Sequence, residues 1–197
     1  HLHHAGHEGI TTNTRSTSHL FITRNHFHDF KSPGATGEAM YLGAHDGKAV
    51  MSYSVIAGNH VHDCAGEQGD GIELKQGSHH NWIVDNHVHD TKYPCIIAYG
   101  TEKNGINVIE RNVCYRSGDN VLQVQGEALV RNNLLVAGDG AGFASTDHQG
   151  KSRDLVFVHN TIISRRRGAN LSSWNDRVGM VFANNIVVTE GGEALRF

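Results

Sequence analysis

The chain has no run of about 18 apolar residues, the length a membrane-spanning helix needs. Its first residues, His1, Leu2, His3 and His4, lack the basic-then-apolar layout of a secretory leader. None of these residues is therefore expected to span or address a membrane, and any leader is expected to lie outside them. Charge of either sign is sparse. The 17 basic and 20 acidic residues leave a net charge of −3, which excludes a large positive field for a nucleic-acid backbone. The one basic cluster, Arg165, Arg166 and Arg167, reads as a solvated turn rather than an anion site. Cysteine is limited to Cys64, Cys95 and Cys114, at unrelated spacings and without a Cys-x-x-Cys pair. That disfavours a disulfide scaffold and a zinc knuckle, and leaves the compartment open. A helical His-Glu-x-x-His zinc site and a phosphate-binding glycine loop are both missing, and Gly77-Ser78-His79-His80 has no nucleophile-elbow frame.

What is present is a repeat. At 38% hydrophobic and 19% charged, the 197 residues have the composition of one ordered domain. Seven segments align on an asparagine with an apolar residue three before it and another two after. They are Ile22-Asn25-Phe27, Ile56-Asn59-Val61, Ile83-Asn86-Val88, Ile109-Asn112-Cys114, Leu129-Asn132-Leu134, Phe157-Asn160-Ile162 and Val181-Asn184-Ile186. Their spacing, between 20 and 34 residues, is too irregular for ankyrin or leucine-rich repeats and suits coils with variable loops. A second set of short apolar segments precedes the asparagines, for example Met40-Tyr41-Leu42, Ile72-Glu73-Leu74 and Val121-Leu122-Gln123-Val124. Each coil thus offers three short strands, and 23 glycines with few apolar runs at helical spacing leave little room for helices. The expected fold is all-β: a single-stranded right-handed parallel β-helix of about seven coils. An internal ladder of asparagine amides is expected at the bend between second and third strands, where αL geometry is tolerated. The sequence opens just after an expected asparagine position and stops in a new first strand, so residues 1–197 are expected to be part of a longer solenoid.

Coils stacked about 4.8 Å apart turn equivalent outward residues into columns. Alternation in Ile72-Glu73-Leu74-Lys75 sends Ile72 and Leu74 inward and Glu73 and Lys75 outward. An acidic column of Glu8, Glu38 and Asp70 either terminates loops or, joined by Glu73, supplies the hard oxygen ligands of a calcium site. Beside it Tyr41, Glu73 and Ile97, then Lys75 and Tyr99, make a floor suited to an acidic polysaccharide, with Tyr41, Glu73 and His45 as substrate contacts. Lys75 and Tyr99 there form a candidate base and acid pair; the plainer reading is a Glu73–Lys75 ion pair on a solvated face. A third column follows from Asn-His-x-His-Asp, which recurs from Asn25, Asn59 and Asn86. Its histidines either bind zinc, copper or nickel or serve the coil by stacking and by capping through the aspartates. Trp82 and Trp174 are expected to pack under loops rather than serve as sugar platforms.

This coil pattern, over nearly the whole sequence, resembles the parallel β-helix repeat proteins of bacteria, a group with pectate lyases, alginate and chondroitin lyases, and mannuronan epimerases. The segment Glu73-Leu74-Lys75, followed by Asn81 and Asn86, is similar to the catalytic strand of the alginate lyase and chondroitinase B family. The resemblance implies Lys75 as base and Glu73 as a calcium ligand, with Tyr99 at the place of that family's acidic arginine. The epimerases' Asp-Pro-His-Asp motif is absent. The expected function is a secreted or cell-surface carbohydrate-active protein, possible as a lyase of acidic glycans; the alternative is a non-catalytic carbohydrate-binding or structural solenoid.

Overall fold

A computed structural model describes residues 1–197. It contains strands and no α-helix, and no helix long and apolar enough to cross a membrane. Each coil contributes a strand to each of three parallel sheets, of eight, seven and eight strands in chain order around the coil. The first sheet holds Met40–Leu42, Ile72–Leu74, Ile96–Ala98, Leu122–Val124 and Ala141–Ala144 among others. The second includes Val55–Ala57, Trp82–Val84 and Asn107–Glu110, and the third His26–Phe30, His60–Cys64, His87–Thr91 and Val113–Ser117. Period-two alternation fills the interior from all three. Ile72, Leu74, Ile83 and Val88, drawn from the three strands of one coil, are all fully buried. At Gly71 the backbone enters the first strand so close to the next coil that a Cβ would stand 2.5 Å from the Cys95 carbonyl oxygen. Any side chain there forces the coils apart.

The asparagine ladder is present, with two of its rungs one residue away from the expected place. Amide oxygens accept from the coil below along Asn25, Asn59, Asn86, Asn112, Asn133, Asn160 and Asn185, at steps of 34, 27, 26, 21, 27 and 25 residues. Asn133 and Asn185 therefore replace the predicted Asn132 and Asn184, and Val130 and Leu135 replace Leu129 and Leu134 as the inward apolar pair. Both slips fall on Asn-Asn doublets flanked by paired apolar residues, so the apolar frame fits either register. The αL bend likewise lies one residue before the ladder. Arg24, Gly58, Asp85, Arg111, Asn132, His159 and Asn184 all have φ between 47° and 65°. Each central rung is fully satisfied: Asn86 Nδ2 donates to Asn112 Oδ1 at 3.0 Å and to the Ile56 carbonyl at 2.9 Å. A second, shorter ladder of Ser54, Asn81 and Asn107 runs at the turn from the first sheet to the second. It was not expected, because Asn81 and Asn107 fall where loop lengths vary.

Candidate functional site: a roofed groove over the first sheet

Along the first sheet's outer face, Tyr41 is in register with Glu73, Glu73 with Ile97, and Ile97 with Gln123. Lys75 follows Leu74 and stands beside Tyr99 of the next coil, as the alternation predicted. The face is not solvated, however. Lys75 is 4% exposed and Glu73 3%, so the expected open ion pair is a buried one. Lys75 Nζ binds Glu73 Oε1 and lies 4.2 Å from the Tyr41 ring centroid and 5.3 Å from that of Tyr99. Two ring faces and one carboxylate thus replace the water that the ammonium group loses.

Two loops exclude that water. The loop after Leu42 carries His45, and the loop between Ala144 and Leu155 carries His148 and Gln149. Gln149 Nε2 donates to His45 Nδ1 at 2.9 Å, and the His148 ring stacks on Tyr99 with centroids 5.5 Å apart. Beneath them is a groove of about 440 Å³, lined by Lys75, Glu73 and Asp70 together with Gln68, Asp119 and Gln123. The expected floor therefore has a roof, and the Tyr99 face expected to carry a sugar is already covered by His148. His148, Gln149 and Asp119 escaped sequence reasoning because they belong to irregular loops with no repeat to align them.

The acidic column is also real and more buried than a loop terminus requires. Ile10, Met40 and Ile72 are in register, which sets Glu8, Glu38 and Asp70 level two residues earlier. Glu8 is half-exposed, whereas Glu38 is fully buried and Asp70 is 6% exposed. Both carboxylate oxygens of Glu38, Oδ1 of Asp70 and Oε2 of Glu73 have no hydrogen-bond partner. Burial pushes all three carboxyls above the usual carboxylate range, and for Asp70 the neighbouring charges of Glu73 and Glu38 push further. Orphaned carboxylate oxygens in such a place cost free energy unless protons or a cation satisfy them. Carboxylate oxygens of this kind suit a hard cation such as calcium in chemistry, but Glu38, Asp70 and Glu73 are not gathered within 4.8 Å of one another as a ready-made site. Burial likewise raises the Tyr99 hydroxyl well above its ordinary value, with Glu73 as the next cause, so Tyr99 holds its proton at neutral pH.

Elsewhere, Arg167 pairs with Glu193 at 3.3 Å, Trp174 packs as expected, and Trp82, expected under a loop, is 47% exposed on the second sheet. The three cysteines are free and buried.

A crystal structure of a point mutant of the periplasmic alginate epimerase AlgG is similar to this chain, with a TM-score of 0.58 at 15% identity. The match covers 83% of this chain and 34% of that one, so this chain spans about a third of its neighbour's length. No curated protein sequence matches it. The family model described as "Right handed beta helix region" matches residues 1–107 and again 52–187, and the coils, their three parallel sheets and the amide ladder bear that assignment out. The chain belongs to the right-handed β-helix family.

Proposed function

We propose that the groove over the first sheet binds an acidic polysaccharide and cleaves it by β-elimination, in a protein that works at the cell surface or outside the cell. The observation that carries this reading is the buried Lys75, held between Tyr41 and Tyr99 beside three carboxylates in a groove. That the similar solved structure is an alginate epimerase supports a uronate glycan as the ligand, since epimerisation and β-elimination both begin by removing the proton α to the carboxylate.

In this reading Lys75 acts as the neutral amine, beside Glu73, and takes the proton from the carbon next to the uronate carboxylate. The electron pair left on that carbon forms the new double bond as the adjacent glycosidic C–O bond breaks. Tyr99, which keeps its hydroxyl proton at neutral pH, gives it to the departing oxygen. Tyr41 and His45 contact the chain of sugars. Glu38, Asp70 and Glu73 would hold calcium, with half-exposed Glu8 at the column's open end. An ion held by these residues would supply positive charge to the substrate carboxylate.

One observation favours a second reading, a non-catalytic carbohydrate-binding solenoid: the Lys75–Glu73 pair and the Tyr99–His148 stack already satisfy these groups without a substrate. The test is to incubate the protein with calcium and alginate, pectate or chondroitin and follow the absorbance of unsaturated uronates. A rise with any of them supports the lyase; binding without a rise supports the second reading.

A further inference from the structure

The outer face of the third sheet carries two parallel columns of imidazoles, separate from the groove on the first sheet. His1, His26, His60 and His87 are level with one another, as are His3, His28, His62 and His89. The rings stack up each column: His26 on His60 at 4.8 Å, His60 on His87 at 5.0 Å and His62 on His89 at 5.0 Å. The columns also meet diagonally. Nε2 of His26 lies 2.7 Å from Nε2 of His62, and Nε2 of His60 lies 2.9 Å from Nε2 of His89.

Three aspartates hold this arrangement from behind. Nδ1 of His28, His62 and His89 is bonded to the carboxylate of the next residue, Asp29, Asp63 or Asp90, at 2.9, 2.7 and 2.5 Å. Each aspartate has positive φ, at 62°, 55° and 53°, which short polar side chains tolerate and which folds the carboxylate back onto its own histidine. With the Nδ1 proton given to a carboxylate, the Nε2 lone pair is left facing the neighbouring column. That is the tautomer and the carboxylate support a metal-binding imidazole requires. The ligand nitrogens gather within 4.8 Å of one another in three groups: His1, His26 and His28; His26, His60 and His62; His60, His87 and His89.

We propose that this face binds divalent transition metal of the zinc, nickel and copper class, two ions at a time. One ion sits on His1, His26 and His28 and the other on His60, His87 and His89. The middle group shares His26 and His60 with its neighbours, so an ion there excludes both. Neutral imidazoles without oxygen ligands select this class over calcium or magnesium. Two nitrogens on one tetrahedral ion, with bonds of about 2.0–2.1 Å, lie roughly 3.3 Å apart. The diagonal pair His60–His89, now at 2.9 Å, therefore opens by about half an ångström when the upper ion binds. At the upper end the columns stop at Val113 and Tyr115, and Arg116 shares the Asp90 carboxylate.

The test is zinc titration of the metal-free protein at pH 7.5 by calorimetry, with stoichiometry checked by equilibrium dialysis. The wild-type chain is expected to take up two ions, His60→Gln one, and the His26→Gln, His60→Gln double variant none. Asp90→Asn is expected to weaken the upper site about 10- to 100-fold. Fewer than two ions on the wild type, or two retained by the double variant, overturns the proposal. A measurement on the wild type guards against misfolding of variants. Zinc should move the Nε2 resonances of His26, His60 and His89 in ¹⁵N spectra ahead of those of His45 and His148, and equal movement of all five contradicts it.

Discussion

Gln149 donates from Nε2 to Nδ1 of His45 at 2.9 Å, although 104 residues separate the two. The strands that launch their loops, Met40–Leu42 and Ala141–Ala144, are separated in the first sheet by three others. At about 4.8 Å per coil the bridge spans roughly 19 Å. Its two loops lean over Lys75 and Tyr99 from opposite ends. Gln149→Ala removes the bridge and leaves the coils untouched. We expect protease to cut within residues 145–152 several-fold faster, and glycan affinity to fall while the far-ultraviolet spectrum stays the same. Unchanged proteolysis would mean that the loops close the groove without this contact.

Calcium should act through the orphaned oxygens of Glu38, Asp70 and Glu73. A ligand at 100 times its Kd stabilises the folded state by about 2.7 kcal/mol. For a chain of this size that corresponds to a Tm increase of roughly 5–10 °C. The wild type should show such an increase in calcium. Asp70→Asn should not, and without calcium it should melt higher than the wild type because a crowded, unsatisfied carboxylate has gone. A calcium response that survives in Asp70→Asn places the ion elsewhere.

The ladder register has its own test. Asn133 sits inside, bonded to Asn160 Oδ1 and to the Ile109 carbonyl, whereas Asn132 makes the αL bend at the surface. Asn133→Ala strands buried donors and acceptors at about 1–3 kcal/mol each and should lower the urea midpoint sharply. Asn132→Gly, which suits positive φ, should leave it nearly unchanged. Equal effects would restore the register the apolar spacing suggested.

Glu110 sets a pH dependence. The guanidinium groups of Arg131 and Arg111 hold its buried carboxyl below the usual carboxylate range. In acid the unfolded chain takes up that proton first, below about pH 4.3, so stability rises with pH through this window. The contribution is complete above the unfolded value and is lost as pH falls through the folded one. Glu110→Gln should therefore melt below the wild type at pH 7. The gap should close toward pH 3; a gap that stays constant with pH would assign Glu110 a packing role only.

The sequence revealed what repetition writes into it. Inward alternation at Ile72 and Leu74, the amide ladder, and the levels of Tyr41, Glu73, Lys75 and Tyr99 all follow from stacking equal coils. What could not be read came from segments that do not repeat. The roof depends on two loops meeting over distant coils, so neither the burial of Lys75 nor the contacts of His148 and Gln149 has a local signature. The two ladder errors arose where Asn132-Asn133 and Asn184-Asn185 offered two equivalent fits, and only the hydrogen bonds choose between them.

The most direct test of the catalytic claim is the initial rate of unsaturated-uronate formation by Lys75→Arg beside the wild type, with glycan binding measured on both. Arginine keeps the positive charge and cannot act as a base at neutral pH. The wild type should form product and Lys75→Arg should bind the same glycan while losing about 10²- to 10⁴-fold in rate, the usual contribution of a general base. Product formed at an undiminished rate by Lys75→Arg, or none formed by a wild type that binds the glycan, would contradict Lys75 as the base of a lyase.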